Sequence, residues 1–300
     1  MRKIVSFLLV LFISVALGDD SFIQPYILIG ETGKNISDTE GDLVESFFMN
    51  NIEILGRYRP AGDPHRFVIV VTNQDLIQAV KRGKPSAGYA AAMRVAITKE
   101  GEMTYVSCQN PEYWGNAYFQ DDYPKVSKNI AAFKRKLMRA LPKMRGRFNR
   151  QFGSSRNFTA KDMRHYRYMF GMPYFEDSVK LGTFSSYEEA VETIERNLEI
   201  STTCEKVFGK EIPDKRVKLY GVGLGGDSGE GYFLPTIDVA KMKHTAALPY
   251  DLLVIDNEVY MLHGRFRIAS SFPDLTMMTF GKIMSTPGDI SEMMGSLTEK

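Results

Sequence analysis

The chain is poor in the residues that mark many kinds of functional site. It has two cysteines, four histidines and one tryptophan in 300 residues. The cysteines form no Cys-x-x-Cys motif, zinc-ligand spacings are missing, and no Ser/His/Asp order or carboxylate pair stands out. These absences exclude a recognisable redox thiol, zinc or hydrolase motif, and they leave no catalytic residue or cofactor to name. With 44% hydrophobic and 25% charged residues, and no low-complexity stretch, the composition is that of a globular protein.

The first eighteen residues have the pattern of a secretory signal peptide. Arg2 and Lys3 precede an apolar run over residues 4–16, and Ala16-Leu17-Gly18 has the small-x-small pattern of a cleavage site. The run is shorter than the ~20 apolar residues that cross a bilayer, and no second stretch is long enough. We therefore expect a periplasmic or secreted protein, cut after Gly18.

The net charge of +2 conceals a strong asymmetry. Residues 125–167 contain fourteen Lys or Arg and one acid, Asp162, so the rest of the chain carries a charge of −11. Nucleic acid would match this segment, but an exported protein seldom meets any. Two interpretations remain: binding to an anionic membrane surface, or docking of a basic connector on the acidic parts of the same chain.

Cys108 and Cys204 are an even pair in a chain expected outside the cytoplasm. They form a candidate disulfide, which would close a loop of nearly a hundred residues, worth about 4–5 kcal/mol in the chain-entropy model. The alternative is two buried free thiols, because free cysteine is among the most buried residue types. The sequence leaves both open.

Two halves of the chain share one order of elements: helix, strands, hairpin, helix. In the first half, Ser37 and Glu40 predict a capped helix, and residues 93–108 predict a hairpin turning at 99–101. In the second half, Ser185 and Glu188 predict the equivalent helix. The second hairpin covers residues 250–266 and turns at Asp256-Asn257, and closing helices are expected over 126–141 and 281–294.

The second half, LPYDLLVIDNEVYMLHGRFRIASSFPDL, resembles the family catalogued as domain of unknown function 302, and MRVAITKEGEMTYVSCQNPEYW of the first half is similar to it more loosely. The resemblance implies an α+β fold with antiparallel sheets backed by helices. Single-copy members are thought to form homodimers, so two tandem copies imply an internal pseudo-dimer. The family has no assigned chemistry, so the resemblance implies no catalytic residue.

This organisation predicts four segments: a signal peptide (1–18), a first α+β unit (19–124), a basic helical connector (125–170) and a second α+β unit (171–300). We expect a monomer with an internal pseudo-two-fold, or a weak oligomer.

A glycine-rich stretch covers residues 221–231 and contains Gly-x-Gly-x-x-Gly. Dinucleotide binding requires a helix opening after the glycines, whereas DSGEGYFLPTID is a poor helix former and carries acids that repel phosphate. We predict instead a flexible loop folding over a pocket, with Gly223 and Gly226 as ligand-binding candidates.

Two Met-x-His triplets are candidate metal ligands: Met242 with His244, and Met261 with His263. On a strand, residues i and i+2 share a face, and thioether with imidazole suits copper. The alternative is ordinary core packing of methionine and histidine.

A row of basic residues follows the second hairpin. If the strand continues, His263, Arg265 and Arg267 share one face, and two guanidiniums with an imidazole are suited to an oxyanion. The alternative is a solvated face, or pairing with acids of the neighbouring helix.

Two functional hypotheses follow. The first, which we favour because no catalytic constellation can be named, is a non-enzymatic binding or accessory module for an anionic ligand or a partner protein, with ligand-binding candidates His244, His263, Arg265, Arg267, Gly223 and Gly226. The second is a periplasmic metal-handling protein or enzyme with its site around His244 and His263.

The leader generates the first testable prediction. Intact mass spectrometry of the protein recovered from its producing cells should give a chain that begins at Asp19, because Gly18 is the last small residue of the cleavage pattern. A mass that includes residues 1–18 would contradict export by cleavage.

Overall fold

The computed structural model describes residues 21–141, 144, 146 and 148–300, so the expected signal peptide lies outside the described residues. The strands are β1 (Phe22–Ile23), β2 (Tyr26–Thr32), β3 (Glu53–Tyr58), β4 (Arg66–Thr72), β5 (Met93–Glu100), β6 (Met103–Gln109), β7 (Arg150–Phe152), β8 (Phe158–Thr159), β9 (Val179–Thr183), β10 (Cys204–Glu211), β11 (Val217–Leu224), β12 (Tyr250–Ile255) and β13 (Glu258–Met261). The helices are α1 (Ile36–Met49), α2 (Gln74–Arg82), α3 (Pro111–Phe119), α4 (Tyr123–Ala140), α5 (Ala160–Arg164), α6 (Tyr187–Ile200), α7 (Glu230–Ile237), α8 (Gly264–Ser271), α9 (Met277–Gly281) and α10 (Thr286–Ser296). Short 3₁₀ turns lie at Pro60–Gly62, Pro85–Ala91, Gln120–Asp122 and Thr245–Ala247. No helix within the described part of the chain is long and apolar enough to cross a membrane.

Two antiparallel sheets, in which five equivalent strands follow the same order and β7 adds a sixth to the first, form the body of the protein. One has the order β3-β4-β5-β6-β2-β7 and the other β10-β11-β12-β13-β9, while β1 pairs with β8 separately. The helices also recur in order, since β2-α1-β3-β4-α2-β5-β6-α3 of the first unit matches β9-α6-β10-β11-α7-β12-β13-α8 of the second. The predicted α+β class, with antiparallel sheets backed by helices, is confirmed.

The predicted helix starts are displaced by one or two residues. Helix α1 begins after Asn35, whose side chain accepts the Asp38 N–H at 2.8 Å, so Ser37 is not its cap. Helix α6 begins after Ser186, which accepts the Glu189 N–H at 3.1 Å. The amphipathic pattern locates each helix, but several neighbouring polar residues compete for the cap.

The segment predicted as a basic connector packs on the first unit. Helix α4 packs against α1, α2 and α3 of the first unit, and β7 pairs with β2, so it extends the first sheet. The apolar stripe of α4 (Val126, Ile130, Phe133 and Leu137) is fully buried, which requires this docking.

The two sheets meet along their edge strands. Strands β3 and β10 each carry a bulge, between Ile54 and Gly56 and between Lys206 and Phe208. A Cβ on Gly56 would lie 2.1 Å from the Val207 carbonyl oxygen, so only glycine permits this approach.

The 3₁₀ turns before β5 and β12 make reciprocal contacts across the interface. Gly88, in the first turn, faces the second sheet, where a Cβ would lie 2.6 Å from Leu253 and 3.0 Å from Val217. Thr245, in the second turn, faces the first sheet and shares a 2.8 Å hydrogen bond with Thr98. Each unit therefore closes the face of the other.

A buried charge cluster lies between the units. Arg94, the second residue of β5, forms an ion pair with Asp251, the second residue of β12, and both side chains are fully buried. Arg267 approaches the other Asp251 oxygen at 3.9 Å, donates to the Ala247 carbonyl, and lies 5.4 Å from the Trp114 ring centroid. Trp114 and Arg267 are each the fourth residue of their helices, α3 and α8.

This cluster generates a stability prediction. Asp251→Asn leaves two buried guanidiniums without a countercharge, so we expect the free energy of unfolding to fall by about 3–5 kcal/mol. Urea denaturation followed by circular dichroism measures it. The control, Asp42→Ala, removes an exposed ion pair with Lys34 and should leave the midpoint unchanged. Equal effects of the two substitutions would contradict the role of the cluster.

Candidate functional site

The glycine-rich stretch is not a loop throughout. Strand β11 extends through Leu224, and α7 begins at Glu230, so the prediction that this region does not form a helix is wrong. Phe233, Leu234 and Ile237 of α7 are buried, and this tertiary burial outweighs the weak helix propensity of the sequence. A Cβ on Gly229 would lie 2.3 Å from the Gly225 carbonyl oxygen, so the turn into α7 requires glycine.

The Glu230 carboxyl group joins the two units. One oxygen accepts the Ala61 N–H at 2.9 Å, and the other accepts the Leu224 N–H at 3.2 Å and lies 3.4 Å from the Tyr58 hydroxyl. Tyr58 and Ala61 belong to the first unit and Leu224 to the second. Burial raises the pKa of Glu230 to about 7, against the lowering effect of the two N–H donors. The group therefore exchanges its proton near neutral pH.

Glu230 lies at the base of a cleft of about 370 Å³ between the units. The first unit contributes Tyr58, Arg59, Ala61 and Gly62, and the second contributes Leu198, residues 201–206, residues 223–225 and Glu230. Clefts between units with a few convergent polar groups are common ligand sites. A neighbouring cleft of about 360 Å³ shares Thr203 and Gly225 and includes Gly226. Gly223 and Gly226 therefore lie on two adjoining clefts.

Two of the four charged side chains in this lining already have partners. Lys206 forms an ion pair with Glu195, and Glu230 accepts two backbone N–H groups. Arg59 lies 5.2 Å from the Phe67 ring centroid and donates to the Pro64 carbonyl at 3.3 Å, but it forms no ion pair with a described residue. Arg59 and the exposed Glu205 remain available to a ligand.

Cys204 also lines this cleft. Both cysteines are free and buried in the structure, Cys108 on β6 and Cys204 on β10, which corresponds to the free-thiol alternative rather than the disulfide. Burial raises the pKa of each thiol, to about 12 for Cys108. Both therefore remain protonated at neutral pH, where a thiol is a weak nucleophile.

The predicted basic row does not form. Strand β13 ends at Met261, and His263 caps α8 by accepting the Arg265 N–H at 3.2 Å. The strand predicted through residues 263–267 is wrong, because residues two apart on a helix point in different directions. Arg265 is exposed, whereas Arg267 is buried in the charge cluster between the units.

His244 is a core residue. Its ring stacks on Phe272 at 5.1 Å between centroids, and its Nδ1–H donates to the Ser271 carbonyl at 2.9 Å. Burial lowers the pKa of His244, which favours the neutral imidazole. Met261 is buried in the second sheet, and Met242 packs partly buried against the core. Among the described residues, no group of three or more His, Cys, Asp or Glu side chains is arranged to hold a metal.

The basic segment makes ion pairs within its own unit. Lys134 lies 2.6 Å from Glu112, and Lys136 lies 2.7 Å from Asp75. These contacts are of the kind expected if the segment docks on acids of the same chain.

Sequence reasoning missed Tyr58, Arg59 and Glu230 as site residues. In the sequence, Glu230 stands out only as one of the acids that would repel phosphate. Nothing in the local sequence marks Tyr58 or Arg59, because their role depends on the second unit packing against them. The one feature of the sequence that points to Glu230 is its position between Gly229 and Gly231 in the glycine-rich stretch.

Comparison with known proteins adds little. No family model and no curated protein matches the sequence. One similar solved structure is the crystal structure of an uncharacterized conserved protein DUF302 from Bacillus stearothermophilus. It has 14% sequence identity and a TM-score of 0.33, and the match covers 39% of this chain and 93% of that chain.

The raised pKa of Glu230 generates a prediction about pH. Between its ordinary value of 4.5 and about 7, the unfolded chain has released this proton while the folded protein retains it. The folded state then binds more protons, so the contribution of Glu230 to stability decreases as pH rises through this window. Glu230→Gln lacks this titrating group and serves as the reference. The difference between the two free energies of unfolding, wild type minus variant, should fall by about 3 kcal/mol between pH 4.5 and about pH 7.

Urea denaturation of both proteins at several pH values from about 4 to about 8 measures this difference. The other titratable groups are the same in both proteins, so their contributions cancel. A difference that does not change with pH, or that rises, would refute the assignment.

Proposed function

We propose that the protein is an exported, non-enzymatic binding module that holds a small anionic ligand in the cleft between its two units. The observation that carries this proposal is Arg59, a cation without an ion-pair partner among the described residues, on a cleft of about 370 Å³ built from both units. An anionic group of the ligand pairs with Arg59, because a guanidinium offers paired donors to a carboxylate or phosphate.

The remaining lining narrows the class of ligand. Glu205 is exposed on the same cleft and favours a hydrogen-bond donor or an amine on the ligand. Gly223 has no side chain, and a Cβ there would lie 3.3 Å from the Tyr58 ring, so glycine at the end of β11 leaves room for Tyr58 in the cleft wall. The candidate is therefore a small polar molecule with an anionic group toward Arg59 and a donor toward Glu205.

The same proposal includes the origin of the two units. We infer that a unit resembling domain of unknown function 302 was duplicated in tandem, so that the chain encloses its own pseudo-dimer. The matching strand orders and the reciprocal contacts of Gly88 and Thr245 support this inference. In a symmetric homodimer, the positions of Arg94 and Asp251 would carry identical charges and repel, whereas fusion permits opposite charges there.

Export is supported by the leader pattern over residues 1–18. The alternative of metal handling or catalysis around His244 and His263 receives no specific support. His244 is packed in the core with its Nδ1–H bonded, and His263 caps a helix. Neither lies on the cleft that contains Arg59.

The test of ligand binding compares two arginines two residues apart. Native mass spectrometry of the wild type, purified from its producing cells, should show a small-molecule adduct that Arg59→Ala loses, since a charge-assisted hydrogen bond is worth about 1.5–3 kcal/mol, or roughly ten- to a hundredfold in affinity. Arg57→Ala is the matched control, because Arg57 pairs with Glu40 and does not line the cleft.

Loss of the adduct in both variants, or in neither, would contradict the assigned site. A wild type without any adduct, and whose melting temperature does not shift with citrate, phosphate or acidic amino acids as probes, would contradict the proposed function.

A further inference from the structure

An exposed apolar surface lies away from the cleft. Met172, Met277 and Phe280 line one groove, and the exposed Met169, Phe170 and Met278 lie next to them in the chain; we call these six residues the methionine surface. The segment carrying Tyr168 and Met172 packs beside α8 and α9, and the Tyr168 hydroxyl donates to the Leu275 carbonyl at 2.7 Å. The two parts of the surface are therefore held together.

Two of its side chains are almost fully exposed. Phe170 is 92% exposed and Met278 is 82% exposed. Large apolar side chains exposed together, rather than singly, mark an interaction surface.

Four cations lie beside residues of the methionine surface. Arg265 lines the groove between its two parts, Arg156 stacks over Tyr168 at 4.4 Å, Arg167 stacks over Phe170 at 5.5 Å, and Lys282 follows α9. None of the four forms an ion pair with a described residue. Two acids of the same segments, Asp177 and Asp274, are occupied by the backbone N–H groups of Tyr174 and Ser155, each at 2.8 Å.

The groove itself is too small to receive the anchor side chain of a peptide. Its free volume is about 10 Å³, roughly the space of one water molecule. Helix-in-groove recognition requires pockets for large apolar anchors. Exposed apolar side chains with cations beside them are instead suited to a bilayer, where the apolar groups enter the acyl boundary and the cations meet anionic headgroups.

We propose that the methionine surface docks the protein on an anionic lipid bilayer, with Phe170 and Met278 entering the bilayer and Arg156, Arg167, Arg265 and Lys282 contacting the headgroups. This surface is distinct from the basic helix α4, whose Lys134 and Lys136 pair with acids of the first unit. The proposal is independent of ligand binding in the cleft.

Vesicle sedimentation tests the proposal with the mature chain. Vesicles of phosphatidylglycerol mixed with phosphatidylcholine should bind the wild type, phosphatidylcholine alone should bind it weakly, and salt should reduce binding. The double variant Phe170→Ser/Met278→Ser should lower the partition coefficient at least tenfold. Its matched control is Phe48→Ser/Met49→Ser, two side chains 81% and 73% exposed at the end of α1, which should bind like the wild type.

Arg265→Ala/Lys282→Ala should reduce partitioning by roughly twenty-fivefold, from about fivefold for each cation. Insertion has its own readout. Phe170→Trp should show a blue-shifted emission with anionic vesicles, over the constant signal of the buried Trp114.

The proposal is overturned if the wild type stays in the supernatant with both kinds of vesicle. It is also overturned if the Phe170/Met278 variant binds as well as the Phe48/Met49 variant.

Discussion

The arrangement of the two units depends on one buried carboxylate. Asp251 supplies the negative charge for Arg94 of the first unit and lies near Arg267 of its own unit, and all three side chains are removed from water. Buried charges are tolerated only when they are paired, so the units are constrained to the one orientation in which these groups meet. The interactions of Arg267 with the Ala247 carbonyl and the Trp114 ring extend the same constraint to the helices.

The cleft follows from that orientation. Tyr58 and Ala61 reach Glu230 only because β3 and β10 meet edge to edge, with Gly56 against the Val207 carbonyl. The raised pKa of Glu230 has the same origin, since the first unit removes the carboxyl group from water. The orientation of the units and the candidate site therefore both depend on the interface between the two sheets. The methionine surface does not, because it lies on the segments that follow the first unit and α8.

Local sequence patterns predicted helices and strands correctly where the buried residues recur at a regular spacing. The stripe of α4 and the two hairpins were found by periodicity, and the α+β class followed from them. The errors occurred where tertiary contacts outweigh local preference. Helix α7 forms in a glycine-containing segment because Phe233 and Leu234 are buried, and the segment after Met261 turns into α8 because His263 caps it. The burial of α7 has no local signature, and histidine is not among the residues whose presence usually marks a helix start.

The sequence by itself determined the leader pattern, the order of elements, the α+β class and the concentration of basic residues, because these depend on composition and on short-range periodicity. Only the tertiary structure decided which residues form the cleft, that Arg267 is buried while Arg265 is exposed, and that His244 belongs to the core. These outcomes depend on contacts between residues such as Tyr58 and Glu230, more than a hundred and fifty positions apart. Side-chain environment is set by the partner across the interface, and no local pattern encodes that partner.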